Sequence, residues 1–163
     1  MPTKDLQDAL LEEMRDMLSA EKQITKALRK MARKASHDEL RVGFEEHLEQ
    51  TEGQIERLER AFETLEQKPR SKRCEAMEGI LEEGEHVMEQ AEKGDVLDAM
   101  MIAAAQKVEH YEIASYGTLQ TWAKSLGFKE AERLFRETLD EEKQTDSRLT
   151  KLATKINKQA LPA

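Results

Sequence analysis

The chain has 163 residues, of which 37% are charged and only 4% aromatic, and its formal net charge is −8. This length favours a single domain, residues 1–163, with one substantial core. Few glycines and prolines, together with abundant Glu, Lys, Ala and Leu, predict long helices and no sheet. The acidic balance argues against nucleic acid as a partner, because phosphate contacts need clustered Lys and Arg.

Other features of the composition bear on the compartment. The only cysteine, Cys74, excludes an internal disulfide and favours a reducing environment. The sequence contains neither an apolar run of signal-peptide type nor an apolar stretch long enough to cross a bilayer. We therefore expect a soluble cytoplasmic protein with no membrane partner.

The first half of the chain predicts a hairpin of two long helices. Apolar residues recur at spacings of three and four over residues 10–31, which predicts a helix from Thr3, as its N-cap, to about Lys34. Residues 36–39, Ser-His-Asp-Glu, are typical of a capping box, so a second helix is expected over about residues 38–67. The inward stripe predicted for the second helix comprises Phe44, Leu48, Thr51/Glu52, Ile55, Leu58, Phe62 and Leu65.

The second half predicts a shorter helix and then another hairpin. The shorter helix should cover about residues 71–93 and end at Gly94-Asp95, with Asp95 capping the next helix. Two long helices are expected over about residues 96–125 and 129–156, with Gly127 as the stop between them. A helix of roughly 20 residues spans about 30 Å, enough to carry the chain along the bundle. The pattern predicts an all-α, ferritin-like four-helix bundle with a long crossover and one short extra helix.

Carboxylates stand where the four long helices should be apolar. An ionised carboxylate cannot be buried alone, so each must be neutralised, paired or bound to metal. Counted from the turns, one acid of each long helix lies roughly 22–24 Å from its turn, and the others form a second layer about 4.5–6 Å away. This layering predicts a dinuclear metal site. The predicted metal ligands are Glu21, Glu49, Glu52, Glu109, Glu112, Glu142 and Asp146.

A plainer interpretation is that these acids are solvated residues at the edges of the stripes. It applies most to Glu49 and Glu109, which lie beside their stripes, and to Asp146, because Thr145 competes with it for the inward position. Both interpretations stay open at this point.

Three other side chains near these acids could take part. His47 lies about 200° around its helix from Glu49, and His110 about 100° from Glu109, so we expect each to be solvated or to contact a ligand from outside. Tyr116 is one turn beyond Glu112 on the inward face. It is expected to be a core tyrosine with a satisfied hydroxyl, although it could hydrogen-bond a metal ligand.

The segment Gln106–Leu119, QKVEHYEIASYGTL, resembles the signature of the YciE/YciF family of ferritin-like bacterial stress-response proteins. Four other segments are similar to that family: SAEKQITKAL (19–28), HLEQTEGQIERLE (47–59), CEAMEGILEE (74–83) and ETLDEEKQTD (137–146). The resemblance covers nearly the whole chain. It implies a ferritin-like bundle with an added short helix, a homodimer and an association with bacterial stress responses.

Ferritin-like proteins commonly bind two ions through Glu on two helices and Glu-x-x-His on the other two. The present sequence departs from this pattern, since Glu49-x-x-Glu52 has an acid in the usual histidine position. Ligation by oxygen alone favours iron or manganese as the dinuclear cofactor. Seven carboxylates exceed the charge of two divalent ions, so some should be protonated or lie outside the immediate ligand set.

Three functions are compatible with these patterns. The first is a dinuclear carboxylate protein that handles oxygen, peroxide or metal, with a small oxidant or a metal ion as its ligand. The second is a metal-poor structural or interaction protein of the stress response, acting as a homodimer without catalysis. DNA protection is a weaker third, because no basic tail or patch is present. Whether the protein is an enzyme is left open, since no nucleophilic triad or nucleotide motif is visible.

Overall fold

A computed structural model describes residues 2–163. These residues form helices and connecting segments and contain no strand, which confirms the all-α class. The five helices are α1 (Leu6–Lys34), α2 (Asp38–Thr64), α3 (Glu75–Glu89), α4 (Asp95–Leu126) and α5 (Lys129–Gln159).

Most helix ends lie close to their predicted positions. The N-cap of α1 is Asp5 and not Thr3, and its carboxylate accepts a hydrogen bond from the backbone N–H of Asp8. Both ends of α3 fall inside the predicted range 71–93. Gly127 ends α4 in the left-handed region, at a φ of 77°, as predicted for the stop between the last two helices.

The start of α2 differs from the predicted capping box. The backbone N–H groups of Ser36 and His37 donate to the carboxylate of Asp98 in α4, at 2.9 and 2.8 Å. The side chain of Glu39 is exposed and pairs with Lys155 instead. An acid from a distant helix thus accepts the N–H of Ser36, which the side chain of Glu39 would have accepted in a local capping box, and the N–H of His37 as well.

Contacts at this end of the bundle establish its topology. His37, at the start of α2, contacts Asp98 near the start of α4 and Gln159 at the end of α5. Helices α2 and α4 therefore begin at the same end and run parallel, which requires the long crossover that the sequence predicts. Both α1 and α5 pack against α2 and α4, and α3 packs across α1 and α4. This arrangement confirms the predicted ferritin-like bundle.

Apolar side chains fill the bundle on both sides of its midpoint. Fully buried members include Met14 and Met17 of α1, Phe44 and Phe62 of α2, and Phe135 of α5. Burial of a side chain of this size stabilises the fold by about 1.5–3 kcal/mol. Within residues 2–163, no helix combines the length and the apolarity that a membrane crossing requires.

Candidate metal centre

Four ionisable side chains meet inside the bundle, near its midpoint. They are His47 of α2, Glu109 and Glu112 of α4, and Glu142 of α5, and we call them the central cluster. Each offers one potential ligand atom, and these atoms all lie within 4.8 Å of one another. The exposed fraction of each residue is 4% or less, so the cluster lies inside the protein.

Helix α1 adds a fifth group beside the central cluster. Glu21 is fully buried, and the hydroxyl of Tyr116 donates a hydrogen bond to its Oε1 at 2.5 Å. The other oxygen, Oε2, has no hydrogen-bond partner among residues 2–163. Tyr116 thus fixes the Glu21 carboxylate through one oxygen, and the second oxygen stays available to a ligand.

Helical periodicity explains why the acids are held inside. Glu109 and Glu112 are three residues apart on α4, so they share one face of that helix. The same face carries Ala105 and Leu119, which are buried one to two turns away on either side. Because these apolar residues must stay in the core, α4 cannot rotate its acids into solvent without exposing them as well.

Most polar atoms of the central cluster lack a hydrogen-bond partner. Both carboxylate oxygens of Glu112 and of Glu142 have none in the described part of the chain, and the same holds for Oε2 of Glu109. A buried polar group left in this state costs about 1–3 kcal/mol, and native proteins rarely tolerate it. Such a group in a native structure points to a bound water or ion, or to a functional role.

The contact between His47 and Glu109 has an unusual geometry. Nε2 of His47 lies 2.7 Å from Oε1 of Glu109. Neither nitrogen of His47 makes an aligned hydrogen bond with any described residue. Such a short N···O distance without hydrogen-bond alignment is expected when both atoms are ligands of one cation.

Burial and mutual repulsion raise the pKa of every acid at the site. Burial raises the pKa of Glu109 to about 7. Burial, followed by the charge of Glu142, raises the pKa of Glu21 to about 8. For Glu112 and Glu142, burial and then the neighbouring carboxylates hold the pKa well above its usual range. A positive charge between these acids would lower their pKa values and so favour the ionised forms at neutral pH.

The donor set fits a transition-metal ion. Three carboxylates and one imidazole converge from three helices, and oxygen and nitrogen donors of this kind suit iron and manganese. The sequence predicted ligation by oxygen alone, so the histidine nitrogen is an addition. Their convergence also explains the unsatisfied oxygens, because a cation would satisfy them together.

The structure does not bring all seven predicted ligands together. Glu49 and Glu52 are exposed, so the prediction that they face the interior is wrong. Glu52 pairs with Arg29 of α1 at 3.0 Å. The residues that α2 buries instead are Leu40, Phe44, His47, Thr51, Gln54, Leu58, Ala61 and Phe62.

His47 is the inward residue of α2 that sequence reasoning missed. His47 and Glu49 lie about 200° apart around the helix, so an inward His47 places Glu49 on the exposed side. The signal was present as an alternation of fours and threes from Leu40 through Phe44 to Thr51 and Leu58. That register passes through His47.

Asp146 lies at the rim of the interior, outside the central cluster. Its carboxylate lies 3.2 Å from Nε2 of His110 and accepts a hydrogen bond from Gln106 at 3.4 Å. The side chain of His110 is 68% exposed, in line with the expectation that it is solvated. Asp146 is therefore a partner of surface residues in the structure.

A four-helix bundle in which a long crossover sets α2 parallel to α4 defines a ferritin-like protein. The model of the family described as "Domain of unknown function (DUF892)" matches residues 5–161. YciF of Escherichia coli strain K12 is 51% identical over 162 residues, which cover 98% of each chain. The chain belongs to this family, and its resemblance to the YciE/YciF proteins is confirmed.

Solved structures agree with this assignment. The E. coli stress protein YciF is 50% identical and has a TM-score of 0.91, over 95% of this chain and 98% of that one. YcfI of Rhodopseudomonas palustris, described as a candidate structural protein, is 43% identical with a TM-score of 0.89, over 91% and 94% of the two chains. A two-domain Anabaena variabilis protein with a ferritin-like domain matches 98% of this chain and 40% of its own (TM-score 0.67, 19% identity), which supports the fold alone.

Proposed function

We propose that the protein is a ferritin-like stress-response protein with a dinuclear iron or manganese centre that handles oxygen, peroxide or the metal itself. The observation that carries this proposal is the convergence of buried carboxylates whose oxygens lack hydrogen-bond partners among the described residues. An acid buried for structural reasons would have its donors beside it, as Asp98 does. Kinship with the E. coli stress protein YciF supports the stress-response role.

The charge of the site supports two divalent ions. With Glu49, Glu52 and Asp146 outside the cluster, the buried acids that remain are Glu21, Glu109, Glu112 and Glu142. Four carboxylates balance the charge of two divalent ions. The excess of acids that the sequence predicted is thereby removed.

The residues of the chain have separable roles in this proposal. The central cluster supplies the donors that lie closest together, and Glu21 supplies the fourth carboxylate. Tyr116 orients Glu21 through its hydroxyl, and the surrounding apolar side chains limit the access of water. Bound iron or manganese would supply redox and Lewis-acid chemistry toward oxygen species.

Metal analysis of matched variants tests the proposal. Protein purified without chelators or affinity-tag histidines, then supplied with Fe(II) or Mn(II) under reducing conditions, should bind two ions per chain. Glu112→Gln should lower that content, because it removes a charged donor from the cluster. The control is Glu49→Gln, the same chemical change at an exposed position of α2. The proposal fails if no iron or manganese binds, or if both variants bind as much metal as the wild type.

A second candidate function is a metal-poor structural protein that acts as a homodimer. It is favoured by the description of YcfI, and the dimer itself follows from the family resemblance. Light scattering at micromolar concentration should show a dimer under either function. A monomer or a large hollow shell would contradict the dimer. A dimer that binds no metal would favour this second function over the first.

A further inference from the structure

A narrow cleft between α2 and α5 reaches the central cluster from the surface. Its volume is about 140 Å³. Both helices line it. His47, Gln50, Gln144, Thr145 and Arg148 are its polar residues, and Gly43, Leu149 and Leu152 complete the lining. Because His47 lines the cleft and also belongs to the central cluster, the cleft ends at a candidate metal ligand.

Exposed polar contacts span the outer part of this cleft. The hydroxyl of Thr145 donates to Oε1 of Gln50 at 3.3 Å, and Arg148 pairs with Glu46. Surface contacts of this kind contribute about 0–1 kcal/mol, so they open readily. The cleft therefore has polar groups along part of its lining and a mouth that is held only weakly.

A groove larger than this cleft does not reach the central cluster. It has a volume of about 480 Å³ and lies between α1, α3 and α4, lined by residues such as Met31, Leu81 and Val108. None of its lining residues, all within 2–163, belongs to the central cluster. The volume of a groove alone therefore does not identify the route from the surface to the central cluster.

We propose that small polar molecules of the size of water and hydrogen peroxide reach the metal centre through the α2–α5 cleft. The inference rests on the proposed function, since it presumes a bound ion. A water molecule occupies about 30 Å³ of liquid, so the cleft has room for only a few such molecules. Gln50, Gln144 and Thr145 supply amide and hydroxyl groups that replace the hydrogen bonds a polar solute loses on leaving water. Drug-sized molecules need about 300 Å³ or more and would be excluded.

Two glycines of α2 offer a matched test. A Cβ added at Gly43 would lie 3.9 Å from Cδ1 of Leu152, an ordinary contact, so a larger side chain there would occupy the cleft. A Cβ added at Gly53 meets no heavy atom of the described residues within 4 Å. Leucine at either position raises helix propensity by a similar amount, so the two variants differ mainly in whether they fill the cleft.

The experiment measures how freely water reaches the bound ion. Wild type, Gly43→Leu and Gly53→Leu are loaded with Mn(II), and the relaxivity of the water protons is measured at equal manganese content. Relaxivity depends on exchange between water at the ion and bulk water. Filling the cleft should lower it roughly twofold or more in Gly43→Leu, because the route no longer holds water. Gly53→Leu should match the wild type.

Each outcome has a distinct meaning. Wild-type protein that binds no Mn(II) or Fe(II) overturns the proposed function and this inference with it. Normal metal content with unchanged relaxivity in Gly43→Leu overturns the route alone. An equal decrease in both leucine variants also overturns the route, since the effect would then come from the helix and not from the cleft. If Gly43→Leu fails to fold, Gly43→Ala should give a smaller decrease, and its absence would overturn the route.

Discussion

Asp98 and Glu112 are both fully buried in helix α4, about four turns apart, yet their surroundings are opposite. Asp98 accepts hydrogen bonds from the backbone N–H groups of Ser36 and His37, and Nδ1 of His37 lies 2.6 Å from it. Glu112 has no hydrogen-bond partner for either oxygen within residues 2–163, and it faces other carboxylates. Both acids are thus buried, and the difference is that Asp98 has hydrogen-bond donors beside it. This difference distinguishes a structural acid from a candidate metal ligand.

The difference also shows what each acid does for the fold. Asp98 joins the start of α2 to α4 and so fixes which end of the bundle the two parallel helices share. Glu112 makes no stabilising contact with the neighbouring carboxylates unless a proton or a cation lies between them. Removing the charge of Asp98 should therefore lower the free energy of unfolding, whereas removing the charge of Glu112 should not.

The largest effect is expected from Asp98→Asn. The substitution replaces one carboxylate oxygen by an NH2 group. That group is a donor, so it cannot accept the backbone N–H groups of Ser36 and His37. We expect the free energy of unfolding to fall by about 3 kcal/mol, measured by urea denaturation. Asp95→Asn is the control, because Asp95 is 45% exposed and lies 3.4 Å from Nε2 of His37. Losses of similar size in the two variants would contradict the special role of Asp98.

Metal addition should have the next largest effect. An ion that binds only the folded state at about 100 times its dissociation constant stabilises that state by about 2.7 kcal/mol. For a chain of this size, Mn(II) should raise the melting temperature by about 5–10 °C. Chelator should reverse the rise, and Glu142→Gln should reduce it. If neither metal nor chelator changes the melting temperature of the wild type, Glu112 would not differ from Asp98 as a candidate metal ligand.

Glu112→Gln should change the stability of the metal-free protein in the opposite direction from Asp98→Asn. One of several crowded charges is lost, so the free energy of unfolding should stay equal or rise by about 1 kcal/mol in the presence of chelator. Glu49→Gln, at an exposed position, should stay within about 0.5 kcal/mol of the wild type. A marked destabilisation by Glu112→Gln would mean that this carboxylate has a partner that the folded chain itself provides.

The smallest effect concerns pH and the Asp98 site. Hydrogen bonding to Asp98, then to Gln159, raises the pKa of His37 above its ordinary value of 6.5, and the charge of Asp95 adds to the shift. A raised folded-state pKa gives stability that is complete below the unfolded pKa and is lost as pH rises through the folded pKa. The advantage of wild type over His37→Asn should therefore be about 1 kcal/mol at pH 6 and shrink by pH 9.

Urea titrations of both proteins at the two pH values measure this difference. Comparing the pair removes the contribution of the cluster acids, which also change protonation over this range. An advantage that grows with pH would show that the contact does not depend on protonated His37.

Sequence periodicity placed the acids of three helices correctly with respect to the core. Glu21, Glu112 and Glu142 occupy core positions in α1, α4 and α5, and all three are buried. Apolar residues one turn away on both sides fix the inward face at Glu21 and Glu112. At Glu142 the buried Leu139 and Leu149 do so, one and two turns away, so the register is a local property of each helix. Their role as metal ligands stays a prediction.

Helix α2 shows where this reasoning ends. Its apolar residues spread over one broad arc of the helix, with Leu40 and Leu58 towards one side of the arc and Leu48 and Ile55 towards the other. The structure leaves Leu48 and Ile55 half-buried at the edge of the core and turns His47 inward. Which side of this arc faces the core depends on how α1 and α5 cover the helix, and this information is absent from the sequence of α2 itself.

The sequence by itself determined the five helices, their order, the long crossover and the inward acids of α1, α4 and α5. These features follow from apolar spacing and helix-ending residues within each segment, where local rules suffice. Only the tertiary structure decided the rotation of α2, the place of His47 beside Glu109 and the capping of α2 by Asp98. Each of these depends on residues of other helices, such as the pair Ser36 and Asp98, which are 62 positions apart in the chain. Contacts of that range form only when the helices pack.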